Sequence, residues 1–291
     1  MMPQTIQQIL VPLDYCDASL RALDIALSLS KKYRAQVHLL HVAEGVDVPD
    51  TCGPTNCSSI KSTLVSWLAD AITHRYELQP TWTELAGNAP TQIIRWLRHH
   101  PCDLVVMGRA KQRSPHTTSL GSTTYKLVKH AACPVLVVPE HCCETSFSNA
   151  LFPFRPVSGA MHLLHICQIF MAGGAVINLQ PFADNHEERN INLCRLLVEE
   201  AMEVLDKIQI DWPAPWCGKP LHLADCIADV YKQCNADLLV LPPSLADKNS
   251  VGYMDPQIRH LIASLAVPFL YLCNVSWLRT TNKSLALFTE N

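Results

Sequence analysis

The sequence predicts an α/β fold: two tandem, doubly wound parallel sheets of five strands each, making a pseudo-dimer within one chain. Three observations carry this. Short apolar runs bounded by turn residues alternate with segments of helical period, the pattern of a parallel sheet covered on both faces. The 291 residues suit about two domains of ~150 residues. The second half also repeats landmarks of the first.

In chain order, Ile9 to Asp14 reads as a buried strand ending at an acidic residue. Ser19 to Tyr33 follows as a helix, with Leu20, Leu23, Leu27, Ala22, Ile25 and Leu29 on a broad apolar face. Val37 to Val42 is strand two, and Glu44 to Ser59 a loop rich in Gly, Pro, Asp and Cys. Ile60, Leu64, Trp67, Leu68, Ala71 and Ile72 mark a second helix, with Trp67 and Trp96 read as packing residues. Strand three is Pro80 to Leu85, and helix three is Thr91 to His100, stopped before Pro101.

The most informative stretch is Asp103 to Pro139. A buried-strand run, Leu104 to Met107, stops at Gly108. A basic loop with Arg109, Lys111 and Arg113 follows, without an acidic residue before Gly121. Gly121-Ser122-Thr123 opens a helix with Leu120, Thr124, Leu127, Val128 and Ala131 on its apolar face, and Val135 to Val138 is strand five. Strand, glycine, cationic loop and Gly-Ser at a helix start is a geometry that suits phosphate, because free N–H groups and the helix dipole favour an anion. It is neither a Walker loop nor a G-x-G-x-x-G fingerprint. In doubly wound sheets ligands bind beyond the carboxyl ends of the strands, where Asp14, Val42 and the Gly108 loop all fall.

Ala236-Asp237-Leu238-Leu239-Val240 repeats Cys102-Asp103-Leu104-Val105-Val106, and Ala266-Val267-Pro268 repeats Ala132-Cys133-Pro134, both at an offset of 134 positions. Leu151 to Arg155 answers Leu10 to Asp14 at an offset of 141. The helix marked by Leu193, Leu196, Leu197, Ala201, Val204 and Ile208 answers helix two. The one marked by Leu223, Cys226, Ile227, Val230 and Tyr231 answers helix three. The domains read as 1–142 and 147–291, joined near His141 to Ser148. In the second copy Gly108 becomes Pro242, Lys111 becomes Leu245, Gly121 becomes Asp255, Ser122 becomes Pro256 and Asp14 becomes Arg155. The helix start survives, because Asp is a good N-cap and Pro suits the first helical position. A carboxylate now occupies the anion position, and its loop is net acidic through Asp247 and Asp255 against Lys248.

A formal charge of −3 gives no basic face for nucleic acid. Residues 156–183 carry no Asp, Glu, Lys or Arg. Their histidines, Gln168, Asn178, Gln180 and the Gly173-Gly174 pair favour a helix ending at the glycines, then a strand from Ala175 to Leu179, over a membrane span. The first residues lack the pattern of a signal peptide. Of the 13 cysteines, Cys133, Cys167, Cys194, Cys226 and Cys273 sit in apolar runs as small hydrophobes. Cys52, Cys57, Cys142 and Cys143, with His41, His99, His100 and His141, leave a metal or redox sensor as a minor alternative. No nucleophile elbow, Ser-His-Asp context or H-E-x-x-H points to an enzyme.

These residues resemble the universal stress protein family in its tandem two-domain form. The family's G-x2-G-x9-G-[S/T] motif is met by Gly108, Gly121 and Ser122, with Lys111 at the place of the second glycine. Pro12-x-Asp14 and His41-Val42 match as well. The resemblance implies a flavodoxin/Rossmann-like sandwich of the adenine-nucleotide alpha-hydrolase-like kind, in which strand five of each copy pairs with its sister. It implies a cytoplasmic stress-response protein that binds ATP, or AMP or ADP, with Mg as an accompanying ion and without substantial catalysis. Pro12, Asp14 and Val42 would surround the adenosine and Met107 would flank the adenine. Gly108, Gly121, Ser122 and Thr123 would hold phosphates, with Arg109 and Lys111 beside them. Lys111 either blocks the close approach of backbone to phosphate or helps neutralise a triphosphate. A homodimer and a protein partner complete what the resemblance implies. A nucleotide-free scaffold of the same fold is the alternative. Asp14 as a helix cap, Arg109, Lys111 and Arg113 as a solvated loop, and His41 as a strand-end histidine are the structural readings of the same residues.

Overall fold

The computed structural model describes residues 6–44, 60–109, 120–142, 145–155, 164–183, 188–204, 209–211, 216–217, 223–242, 256–265 and 267–272. The expectations placed on Lys111, Arg113, Cys52, Cys57, Cys143, Ile208, Leu245, Asp247, Lys248, Asp255 and Cys273 lie outside the described residues.

The first half runs β1 (Gln8–Leu13), α1 (Asp17–Tyr33), β2 (Gln36–Ala43), α2 (Ile60–Tyr76), β3 (Thr81–Ala86), α3 (Ala89–His99), β4 (Leu104–Arg109), α4 (Ser122–His130) and β5 (Val135–Pro139). The second half runs β6 (Phe147–Phe154), α5 (Leu164–Phe170), β7 (Met171–Ala183), α6 (Glu188–Val204), β8 (Gln209–Asp211), β9 (Trp216–Cys217), α7 (Leu223–Gln233), β10 (Leu238–Leu241), α8 (Pro256–Leu265) and β11 (Phe269–Tyr271). The strands form one sheet in the order β3-β2-β1-β4-β5-β11-β10-β6-β7-β8, with β9 paired to β7. Each half therefore has the same 3-2-1-4-5 order in its own numbering. Every pairing inside a half is parallel, and the halves meet where β5 and β11 pair antiparallel, Leu136 opposite Leu270. The sister pairing expected of strand five is present.

Alternation along the strands builds two apolar layers. Ile9, Val11 and Leu13 face the α1 and α2 side together with Val106, Leu136 and, across the seam, Leu270 and Phe152. Leu10, Val105, Val135 and Val137 face the opposite layer with Leu127 of α4 and Ile262 of α8. Both layers run on through the seam, so the two copies share their cores.

The repeat extends to hydrogen bonding. Asp103 Oδ2 accepts from the backbone N–H groups of Gln7 and Gln8 at 2.8 and 2.9 Å. Asp237 does the same for Ser148 and Asn149 at 2.8 and 3.0 Å. Each carboxylate fixes the start of its half's first strand by satisfying donors that precede the sheet ladder.

Several sequence expectations are corrected. The Gly173-Gly174 pair does not end a helix: α5 stops at Phe170, and both glycines lie inside β7. The register with β6 shifts between Phe147 and Asn149, and Gly174 sits at φ +76°, open to glycine and strained for other residues. Both β8 and β9 pair with β7, β8 at Val176 to Asn178 and β9 at Phe182 and Ala183. Trp67 and Leu64, read as packing residues of α2, are 67% and 47% exposed, and Leu20 and Leu196 are also exposed. Trp96 does pack, stacked between His38 (4.5 Å) and His100 (4.4 Å).

Two measurements test these contacts. Asp103→Ala and Asp237→Ala are each expected to lower unfolding stability by about 1–2 kcal/mol in urea, the scale of charge-assisted hydrogen bonds at a partly exposed site. Burial, with the nearby His100 adding to it, pushes His38 down to about 4. The unfolded chain then takes up the proton first as pH falls below about 6.5. Stability from neutral His38 is complete above that pH and drains away toward pH 4, and His38→Gln should flatten this slope in urea titrations.

Candidate functional site

In the 3-2-1-4-5 order the chain leaves β1 toward β2 on one side and returns to β4 on the other. The carboxyl ends of β1 and β4 thus flank the topological switch point, where doubly wound sheets open a crevice. Asp14 follows β1 there, Gly108 and Arg109 end β4, and Val42 lies near the end of β2. Pro12 is buried within β1. Val42 and Met107 are buried in the α3–α4 layer with Leu120.

Asp14 Oδ1 accepts from the Cys16 backbone N–H at 3.1 Å. The N-cap of α1 is Cys16, so the carboxylate orders the turn before the helix rather than capping it. Burial opposes ionisation of Asp14, but hydrogen bonds from Cys16 and Ser19 outweigh it and hold its carboxyl below the usual range. An anionic acceptor thus stands at the crevice edge.

The two motif glycines differ in kind. A Cβ on Gly108 would run into the backbone of Ala18 and Ser19, so this position is glycine because the first turn of α1 packs directly on β4. Gly121 has φ −52° and ψ 147°, open to any residue. Among the described residues a Cβ there would meet only Thr124 Oγ1, at 4.0 Å. Gly121 is the N-cap of α4, with no side-chain cap and no acidic residue in the first turn. Gly121 and Ser122 are exposed and Thr123 is half-buried. The first N–H groups of α4 stand at the positive end of the helix dipole.

Arg109 turns to the other half. Its Nη1 donates to the carbonyl of Ile262 in α8, and burial lowers its pKa. Arg259 of α8 lies 5.6 Å from the ring centroid of Tyr125 in α4. These contacts tie β4 and α4 to α8 over the seam.

Sequence reasoning passed over Tyr15. It sits at φ +65°, a left-handed conformation uncommon for a residue with a bulky side chain. Its hydroxyl is buried, without a hydrogen-bond partner among the described residues. Burial and then the charge of Glu84 push its pKa up to about 12. The Tyr15 ring lies 4.8 Å from that of His41, whose Nδ1 donates to the Leu13 carbonyl at 2.8 Å. His41 Nε2 is buried without a partner among the described residues, and Glu84 is the β3 residue opposite His41. No glycine or asparagine at position 15 signals the turn. Among the described residues no group of three or more His, Cys, Asp or Glu is placed to hold a metal ion. No helix among them is long and apolar enough to cross a membrane.

The universal stress protein family profile matches residues 5–139. A universal stress protein of Methanocaldococcus jannaschii is 30% identical over 141 residues, covering 45% of this chain and 81% of that protein. A universal stress protein structure from Archaeoglobus fulgidus superposes with a TM-score of 0.64 at 14% identity, covering 91% of this chain and 98% of that one. A functionally unknown protein from Pseudomonas aeruginosa gives 0.64 at 14% identity, covering 94% and 95%. These two share the fold across both halves. On the sequence match to the first half and the fold match to the whole, the chain belongs to the universal stress protein family, in its tandem two-domain form.

Proposed function

We propose that the first half binds an adenine nucleotide, ATP or its mono- or diphosphate, at the crevice between β1 and β4, as part of a cytoplasmic stress response and without substantial turnover. The observation that carries this reading is the uncapped start of α4. Gly121 and Ser122 are exposed there, no carboxylate stands in the first turn, and nothing among the described residues requires Gly121 to lack a side chain. A phosphate approaching that backbone supplies the reason. Ser122 and Thr123 offer hydroxyls beside it, and Asp14 offers an acceptor for ribose hydroxyls. Gly108 lets α1 close the floor of the crevice, with Val42 and Met107 lying near the base. Lys111 would add positive charge for a triphosphate, and Mg would supply further neutralising charge when it accompanies one.

The second half has lost these features. Pro242 is buried where the first half has Gly108, and α8 begins with Pro256, which has no N–H to donate. The second half then serves as a structural copy through the shared cores and the Arg109 and Arg259 contacts. A nucleotide-free scaffold is the second reading, favoured by the exposure of Leu64 and Trp67 on α2.

ATP at millimolar concentration is expected to raise the melting temperature of the intact protein. Asp14→Ala and Gly121→Asp should abolish the rise. Gly121→Ala should leave the nucleotide-free melting temperature within a degree or so while weakening binding, whereas Gly108→Ala should cost about 1–3 kcal/mol of stability by overpacking α1. No shift with ATP, ADP or AMP would favour the scaffold, as would restored binding in Lys111→Gly.

A further inference from the structure

At the opposite end of the first-half sheet, where β1, β2 and β3 begin, lies a cavity of about 300 Å³. His38, Trp96, His100, Thr81, Pro101 and Cys102 are among its walls. Cys102 precedes β4, and Cys133 precedes β5. Their bases are adjacent, because Val105 pairs with Val135 and its N–H donates to the Pro134 carbonyl at 3.0 Å. The two sulfurs lie 3.5 Å apart, and both residues are thiols. Cys102 is partly exposed to the cavity, whereas Cys133 is buried.

We propose that Cys102 and Cys133 form a reversible redox pair, with Cys102 the site of attack by a small peroxide and Cys133 the resolving thiol. The Cys102 thiolate attacks one peroxide oxygen, so an S–O bond forms, the O–O bond breaks and hydroxide leaves. Cys133, as thiolate, then attacks the Cys102 sulfenic sulfur. The S–S bond forms, the S–O bond breaks and a second hydroxide leaves. The two thiol protons complete two waters. The sulfurs together lose two electrons and hydrogen peroxide gains them. Closing 3.5 Å to a bond of about 2.05 Å needs about 1.5 Å of movement shared between two side chains.

The repeat supplies an internal control. At the 134 offset Cys102 becomes Ala236 and Cys133 becomes Val267, so the fold builds the same strand bases without sulfur. The thiol pair is a property of the first half alone. Its disulfide would link residues 31 apart, closing the segment that carries β4 and α4.

The test treats full-length protein with hydrogen peroxide, alkylates the remaining thiols and maps disulfides by mass spectrometry of a non-reducing digest. The pair predicts a Cys102–Cys133 cross-link as the predominant product, reversed by dithiothreitol. It also predicts a melting temperature several degrees higher than that of the reduced protein. Cys133→Val, borrowed from the second half, should lose both and instead trap Cys102 as a dimedone adduct. Cys102→Ala should lose the cross-link and give no adduct at Cys133. Recovery of Cys102 fully alkylated while other cysteines oxidise, or its linkage to any cysteine other than Cys133, overturns the proposal.

Discussion

The architecture of the candidate site depends on a backbone contact. The first turn of α1 lies so close to the end of β4 that Gly108 has no room for a Cβ against Ala18 and Ser19. Such a contact draws the β1–α1 turn, with Asp14 and the strained Tyr15, over the switch point and gives the crevice its floor. The second half has Pro242, buried, at the corresponding position. The halves differ at this strand end while keeping the same strand order.

What unites them is the antiparallel seam. Strands β5 and β11 would each be a sheet edge in an isolated half, with unpaired N–H and C=O groups. Pairing them makes one sheet and lets both apolar layers continue across it. Arg109 illustrates the cost of the seam to the site. A cation at the tip of β4, expected beside a phosphate, instead donates to Ile262.

Much of this was legible in the sequence, because it rests on local pattern. Strand and helix order follow from apolar periodicity, and the offset between Asp103 and Asp237 marked a shared role that proved to be capping the start of each half's first strand. The functional weight of Gly108 and Gly121 was legible only jointly. Spacing could not separate a glycine required by α1 packing from one that the fold leaves unexplained. Trp67 was misjudged because a helical stripe records which residues share a face, not whether a neighbouring element covers it. The Gly173-Gly174 pair was misjudged because glycine serves a helix end and an irregular strand equally well. The left-handed turn at Tyr15, the reach of Arg109 and the meeting of Cys102 with Cys133 depend on contacts between distant segments, which no local window contains.

The central claim is that a duplicated fold has kept one nucleotide cradle and closed the other. Calorimetric titration of the intact chain with ATP measures this directly. A stoichiometry of one nucleotide per chain, falling to zero on Gly121→Asp, is the predicted result. Two sites per chain, or one site indifferent to Gly121, would contradict it.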